Sequence, residues 1–283
     1  MAHLFPDNLT SALASMEIPA KVIAGCTDFY PSLEVGHLPN RIVDVSKVSE
    51  MVGITKNSPG WRIGGSTTWT EIIGYPFPPA FDGLKAAARE VGSIQIQNSG
   101  TIAGNICNAS PAADGVPPLL TLDAMVEIQS ANSKRLLNLD EFILGARKVD
   151  LAANELVTAI WIPEIRNNTT SSFLKLGSRK YLVISIAMVA VTLSISPKGL
   201  IEFVNISIGS CSPVAKRLPE LEVKLTGLNA YNLLEKIPVE KQDLTVLSPI
   251  TDIRGTSEYR LTAVIELCQS AIRDAINSCL GVK

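Results

Sequence analysis

Short apolar runs bounded by polar residues, Gly or Pro recur along the first 165 residues. AKVIAG (20–25), RIVDVS (41–46) and ELVTAIWIP (155–163) are rich in β-branched residues and too short for a helix. Runs of this kind are typical of buried strands. In WRIGGSTTWTEIIG (61–74) a similar run ends at a Gly-Gly pair, and the Ser and Thr residues that follow predict a short helix.

A helix and a hairpin are predicted between these strands. GLKAAAREVGS (83–93) is rich in Ala, carries Lys and Arg outward, and ends at Gly92, which indicates a helix. AMVEIQSANSKRLLNLDEFI (124–143) predicts two strands joined by a turn near Ala131 and Asn132. Strands and helices therefore alternate through this half of the chain.

A polar, turn-rich segment at 163–172 predicts a boundary between two domains, 1–166 and 170–283. Beyond it, the apolar run 181–195 is shorter than the ~20 residues of a spanning helix, so it predicts a buried strand or core helix and no membrane span. The stretch 257–281 has helical spacing and a Gly at its end. Three β-like segments and two or three helices predict an α+β domain here.

Composition and charge exclude several classes of function. Hydrophobic residues make up 46% and charged residues 18% of the 283, which indicates a folded protein, and the net charge of −2 provides no basic field for nucleic acid. The five cysteines lack metal-ligand spacing, so we expect no metal or iron–sulfur site on this chain alone. The N-terminus lacks the pattern of a secretory signal, so a cytoplasmic location is expected.

The stretch NSGTIAGNICNASPAAD (98–114) consists almost entirely of small residues. Composition of this kind predicts a bare loop with little core, whose backbone can approach an anion closely. Gly100 and Gly104 lie four apart beside Thr101 and Asn105, but neither the P-loop pattern nor the Rossmann pattern is present. The stretch is equally typical of a surface connection built from turns.

A second candidate, AGCTDF (24–29), follows the first predicted strand. Its Gly and Thr also provide amide and hydroxyl donors. Two separate anion-binding loops suit a ligand with two adjacent phosphates, such as a dinucleotide held without a Rossmann fold.

These motifs resemble those of a known family. AGCTDF is similar to the AGGTD loop, and GTIAGNICNASPAAD to the second loop, of the flavoprotein subunit of molybdenum hydroxylases, the xanthine dehydrogenase and carbon monoxide dehydrogenase family. EFILGARKVDLAANELVTAIWIP, SFLKLGSRK and RGTSEYR resemble further landmarks of that family, in the same order along nearly the whole chain.

The resemblance implies an α+β fold: a two-part FAD-binding domain of the p-cresol methylhydroxylase type, followed by a C-terminal domain with a three-stranded sheet and helices. It implies non-covalently bound FAD, and partners that carry the other cofactors: a large subunit with molybdopterin and a small subunit with [2Fe–2S] clusters. Electrons would pass from the clusters through FAD to NAD or another acceptor. The chain would thus be the medium subunit of an oxidoreductase.

The family's cofactor contacts carry over to named positions. In the order first loop, second loop and isolated contacts, the residues implied to bind FAD are Val22, Ile23, Ala24, Gly25, Cys26, Thr27, Asp28, Phe29, Thr101, Ile102, Ala103, Gly104, Asn105, Asp114, Val157 and Lys175. Taken alone, Asp114 is as typical of a helix cap, and Lys175 of a solvated strand residue. Cys26 and Ala103 replace glycines of the family pattern, and a left-handed backbone at Cys26 would be strained.

Two other functions fit the same residues. One is a stand-alone flavin-dependent oxidoreductase, which needs its own acid or base beside the flavin. The other is a nucleotide-binding or assembly module without electron transfer. No catalytic residue is assigned in this chain.

Overall fold

The computed structural model describes residues 2–33, 38–180 and 182–282. The strands are β1 (Ala2–Leu4), β2 (Lys21–Ile23), β3 (Arg41–Asp44), β4 (Ile54–Asn57), β5 (Gly60–Gly64), β6 (Met125–Gln129), β7 (Lys134–Asn138), β8 (Ile143–Gly145), β9 (Lys148–Val149), β10 (Leu156–Pro163), β11 (Thr169–Leu176), β12 (Ala187–Ile195), β13 (Ile201–Gly209) and β14 (Lys216–Arg217). The α-helices are α1 (Leu9–Ser15), α2 (Trp69–Gly74), α3 (Asp82–Glu90), α4 (Ile94–Ser99), α5 (Ile102–Asn108), α6 (Val116–Thr121), α7 (Leu139–Phe142), α8 (Pro219–Leu225), α9 (Ala230–Glu235) and α10 (Ser257–Leu280). Short 3₁₀ helices occupy Tyr30–Ser32, Ser49–Met51, Pro79–Phe81 and Lys241–Leu244.

These elements form two compact units, each discontinuous in sequence. The first contains the described parts of 1–75, 93–109 and 123–164. The second contains 76–92, 110–122 and the described parts of 165–283.

The first unit contains a small parallel sheet in the order β1-β3-β2. Its strands β2 and β3 lie where the short apolar runs predicted them. A cluster of buried apolar residues from α1, β3, the following turn and the start of β10 packs beside it: Ala12, Met16, Val43, Val45, Val48, Met51 and Leu156.

A second, antiparallel sheet of this unit has the order β4-β5-β10-β6-β7. The predicted hairpin is confirmed, because β6 and β7 pair with Gln129 opposite Lys134. The predicted strand 155–163 is β10, the central strand of the sheet. The short helix predicted after the Gly-Gly pair is α2. Thr68 is its N-cap residue and forms a capping box with Glu71.

One buried carboxylate joins four strands of this sheet. The side chain of Glu127 on β6 is 1% exposed and accepts hydrogen bonds from Arg62 of β5 at 2.9 Å, and from Thr158 and Trp161 of β10 at 2.7 and 2.9 Å. Lys134 of β7 lies 2.8 Å from its second oxygen. Burial opposes ionisation of Glu127, but these donors outweigh it and hold its pKa well below the ordinary value.

The second unit is built on an antiparallel sheet in the order β11-β12-β13-β14. Every residue of β12 is buried, so the apolar run 181–195 forms a strand over Ala187–Ile195 and not a helix. The three predicted strands are β11, β12 and β13, and a two-residue strand, β14, adds a fourth. An α+β fold is therefore observed, as expected.

Helix α10 packs on this sheet, and its ends match the sequence signals. Thr256 accepts a hydrogen bond from the Tyr259 amide at the first turn, and Gly281 ends the helix with φ 66°. Val264, Cys268 and Ile272 are buried against the sheet. Within the described residues, no helix combines the length and apolar character that crossing a bilayer requires.

The stretch 98–114 is not the bare loop that its composition predicts. Residues Ile102–Asn108 form α5, a seven-residue helix begun by Thr101, whose hydroxyl accepts from the Gly104 amide. Ile102 and Ile106 are fully buried, so the stretch contributes to the core. These isoleucines lie four residues apart on one helical face, where their burial stabilises a helix that propensity alone would not.

We expect Glu127→Gln to destabilise the protein at pH 7 and to flatten its acid sensitivity. A pKa lowered by folding contributes stability that is fully present above the unfolded pKa of ~4.3 and is lost progressively as the pH falls from there toward the lowered folded-state pKa. The loss at pH 7 should be roughly 1.5–3 kcal/mol, the value of hydrogen bonds to a charged group. Thermal melts at pH 7 and pH 3.5 measure both effects; an equal wild-type-to-variant difference at the two pH values would contradict the prediction.

Candidate functional site

A pocket of about 320 Å³ in the first unit gathers much of the predicted site. It lies at the carboxyl end of β2, beside the start of α5 and the start of β10. Seven predicted residues line it: Val22, Ile23, Ala24, Thr101, Ala103, Gly104 and Val157. Lys21, Cys107 and Glu155 also line it; Cys107 and Glu155 lie inside the quoted motifs, but none of the three was predicted as a cofactor contact.

The first segment, 24–29, leaves its backbone donors open. None of the N–H groups from Ala24 to Phe29 donates a hydrogen bond to a residue that the structure describes. Cys26 has a left-handed backbone, with φ 57°, as the missing family glycine implied. Unsatisfied amides that follow one another around a left-handed residue form the kind of concavity that binds anions.

Gly25 brings this segment against the end of α4. A Cβ on Gly25 would lie 1.7 Å from the Ser99 carbonyl oxygen and 2.9 Å from the Gly100 nitrogen. Both are backbone atoms that cannot rotate away, so only glycine permits the contact. The two segments that sequence reasoning paired are therefore in direct contact.

In the second segment, 98–114, the backbone N–H groups at the start of α5 already donate hydrogen bonds within the protein. The Ile102 amide donates to the Thr67 carbonyl at 3.0 Å, and the Ala103 amide to the Gly65 carbonyl at 3.1 Å. The Gly104 amide is capped by the Thr101 hydroxyl at 3.1 Å. The backbone donors at the start of α5 are thus occupied, whereas those of the first segment are open, and Ala24 of that segment lines the pocket.

Gly104 and Asn105 on α5 differ in their exposure. Gly104 is exposed, does not have a left-handed φ, and would bring a Cβ only toward Thr101 Oγ1, at 2.9 Å. Asn105 Oδ1 is buried without a hydrogen-bond partner among the described residues. A buried amide oxygen of this kind needs a donor, such as a hydroxyl or amino group of a ligand.

Two cysteines near the pocket remain protonated at neutral pH. Burial raises the pKa of Cys26, and the Asp44 carboxylate adds to the shift. Burial raises the pKa of Cys107 to about 12, with Lys21 opposing it. A thiol is a weak nucleophile compared with a thiolate, so neither side chain is activated.

Arg147 connects the two segments, and it was not among the residues predicted to bind FAD. Its guanidinium lies 3.1 Å from Asp28 Oδ2 and also donates to the Asn108 side-chain oxygen. Its amide donates to the Ala109 carbonyl at 2.8 Å. The sequence signal for it was its place in EFILGARKVD, where the resembled family also has an arginine.

Asp114 and Lys175 form a separate cluster in the second unit. Lys175 Nζ lies 2.9 Å from Asp114 Oδ2, and the Ser185 hydroxyl donates to Asp114 Oδ1 at 2.9 Å. The Lys175 side chain is 7% exposed, and Asp114 does not cap α6, so neither the solvated-lysine nor the cap interpretation is correct. Burial raises the pKa of Asp114, and the Lys175 ammonium opposes that shift.

Comparison with protein families decides the classification. Residues 2–165 match the FAD binding domain in molybdopterin dehydrogenase, and residues 172–275 match the CO dehydrogenase flavoprotein C-terminal domain. The chain belongs to the molybdopterin dehydrogenase flavoprotein family. The resemblance seen in the sequence motifs is thereby confirmed.

Individual relatives agree with this classification. The chain is 31% identical to the nicotinate dehydrogenase FAD-subunit of Eubacterium barkeri over 75% of this chain and 73% of that protein. It is 29% identical to the nicotine 6-hydroxylase medium subunit of Paenarthrobacter nicotinovorans, over 93% and 92%. The structure of reconstituted CO dehydrogenase from Oligotropha carboxidovorans superposes with a TM-score of 0.88 at 25% identity, covering 97% and 96%.

The residues of the first unit fit the FAD that this family binds. The diphosphate of FAD is an acceptor for the open amides of 24–29, and its ribose and adenine carry donors for Asn105 Oδ1. The exposed backbone at Gly104 leaves room at the pocket wall. The open backbone N–H groups of the protein can thus donate to the FAD diphosphate, and the free Asn105 oxygen can accept from a ribose hydroxyl or the adenine amino group.

We expect Gly25→Ala to separate the two segments. The added methyl must displace the Ser99 backbone, an overpacking that costs about 1–3 kcal/mol, and FAD content should fall with it. Gly74→Ala is the matched control, because a Cβ there meets nothing within 4 Å. Thermal melting and flavin absorbance measure both effects; wild-type values for Gly25→Ala would show that the segments do not make this contact.

Proposed function

We propose that this chain is the FAD-binding electron-transfer subunit of a molybdenum hydroxylase complex. The observation that carries the proposal is the run of open amides from Ala24 to Phe29 beside the pocket, within a domain that matches a family of FAD-binding domains. Such amides can hold a diphosphate without a Rossmann fold or a P-loop.

The proposed FAD contacts are those that the family motifs indicate. The first segment would donate its amides to the diphosphate, and α5 would present Thr101, Gly104 and Asn105. The family motifs also indicate Asp114 and Lys175 as contacts. The full proposed set is Val22, Ile23, Ala24, Gly25, Cys26, Thr27, Asp28, Phe29, Thr101, Ile102, Ala103, Gly104, Asn105, Asp114, Val157 and Lys175.

FAD would supply the redox chemistry. The protein would bind and orient it without a covalent bond, since Cys26 and Cys107 have raised pKa values and stay as thiols at neutral pH. A buried lysine ammonium such as Lys175 favours negative charge on a neighbouring group, while its partner Asp114 limits that effect.

Partner subunits complete the proposed enzyme. Relatives are named as a medium chain of CO dehydrogenase and a medium subunit of nicotine 6-hydroxylase, names that describe one part of an assembly. We infer a large subunit with molybdopterin and a small subunit with [2Fe–2S] clusters, which would pass electrons through FAD to NAD or another acceptor. A cytoplasmic location fits reduced, unpaired cysteines.

Purification from the native cell, with and without partners, tests this function. We expect the chain to co-purify with a molybdopterin protein and an iron–sulfur protein, and acid precipitation to release its FAD into solution. The isolated holo-chain should reduce a dye with NADH at most, and should not oxidise purines, aldehydes or carbon monoxide, because its five cysteines lack the spacing of cluster ligands and molybdopterin is proposed on a partner subunit.

Two results would contradict the proposal. Substrate oxidation by the isolated chain would indicate a stand-alone flavin oxidoreductase. A chain that purifies without flavin, and takes up none when FAD is added, would indicate a binding or assembly module.

A further inference from the structure

The β8–β9 hairpin places one arginine across both candidate FAD segments. Arg147 lies at the turn between Gly145 and Lys148 with φ 59°, an unusual conformation for a residue other than glycine. In this conformation its amide donates to the Ala109 carbonyl at the end of α5, while its guanidinium reaches Asn108 and Asp28. One residue thus contacts the end of α5 and the first segment.

Asp28 creates an electrostatic problem in the first segment. Its carboxylate is half-exposed within the same run of residues whose open amides suit an anion. An uncompensated carboxylate beside a diphosphate would oppose binding, because like charges repel most strongly where water is partly excluded. Arg147 Nη1, at 3.1 Å from Asp28 Oδ2, balances that charge.

The same contact has little value for the fold itself. Arg147 and Asp28 have 56% and 52% of their side chains exposed, and exposed ion pairs contribute little to stability. The arrangement is better suited to holding one carboxylate in a fixed place than to holding the unit together. Its effect should therefore appear in anion binding before it appears in melting temperature.

We propose that Arg147 is a positioning residue for the FAD diphosphate. It neutralises Asp28, keeps that carboxylate turned toward Asn108, and fixes the first segment relative to α5. The inference rests on the proposed function, since it requires a diphosphate at the segment 24–29. It assigns a role to a residue of the EFILGARKVD motif that was not among the predicted FAD contacts.

The test measures binding to the full-length chain freed of flavin, by calorimetry at low and high salt. FAD and ADP are the probes that carry a diphosphate, and riboflavin is the probe without one. The variants are Arg147→Gln, Asp28→Asn, their double variant, and Lys148→Gln. Lys148→Gln is the matched control: it removes an exposed cation from the same hairpin, and no side-chain hydrogen bond or ion pair joins the Lys148 ammonium to a described residue.

We expect Arg147→Gln to weaken FAD and ADP binding roughly tenfold at low salt, and less at high salt because screening reduces the repulsion from Asp28. Riboflavin binding and melting temperature should stay near wild type. Asp28→Asn in the Arg147→Gln background should restore most of the lost affinity, since the unpaired carboxylate is then absent. Lys148→Gln should change affinity less than twofold.

Three results with the variants would overturn the proposal. Unchanged ADP affinity in Arg147→Gln would show that the pair does not affect the diphosphate. An equal loss in Lys148→Gln, or no restoration by Asp28→Asn, would show only general attraction between the hairpin and an anion. If the wild-type chain binds neither FAD nor ADP, the proposed function fails as well, and that outcome is distinct because it does not depend on any variant.

Discussion

The candidate site depends on the backbone contact between Gly25 and Ser99. Because a Cβ at Gly25 would lie 1.7 Å from the Ser99 carbonyl oxygen, the first segment can reach the end of α4 only with glycine at this position. The contact brings β2 and its following segment beside the start of α5 and thereby forms the pocket wall. A shift of the Ser99 backbone would also move Thr101, the residue that begins α5.

The two segments, 24–29 and the start of α5, differ in whether their backbone N–H groups are already hydrogen-bonded within the protein. The start of α5 is held to the neighbouring backbone by the Ile102 and Ala103 amides, so it acts as a rigid wall. The residues 24–29 have no such partners among the described part of the chain, and Cys26 accepts a left-handed conformation that costs roughly 1–2 kcal/mol for a residue with a Cβ. A ligand with acceptor oxygens would satisfy the donors that this conformation exposes, which is a physical reason to retain it.

Local patterns predicted much of this structure, and tertiary contacts account for what they missed. The strands around Val22 and Val43, the hairpin turn near Asn132 and the end of α10 at Gly281 follow from apolar spacing and turn residues. Composition alone predicted a bare loop for α5, because it carries no information on spacing. Ile102 and Ile106 share one helical face and are buried. The discontinuous units and the position of Arg147 were not predictable, since they depend on contacts between residues far apart in sequence.

The central claim is that open amides of the first segment, and not the start of α5, hold a diphosphate. Amide NMR of the ¹⁵N-labelled, flavin-free chain during titration with ADP tests it directly, because each amide reports on its own hydrogen bond. We predict large shifts for Gly25, Cys26 and Thr27 and small shifts for Ile102 and Ala103, whose donors are already occupied. Large shifts at Ile102 and Ala103, with Gly25, Cys26 and Thr27 unchanged, would contradict the account.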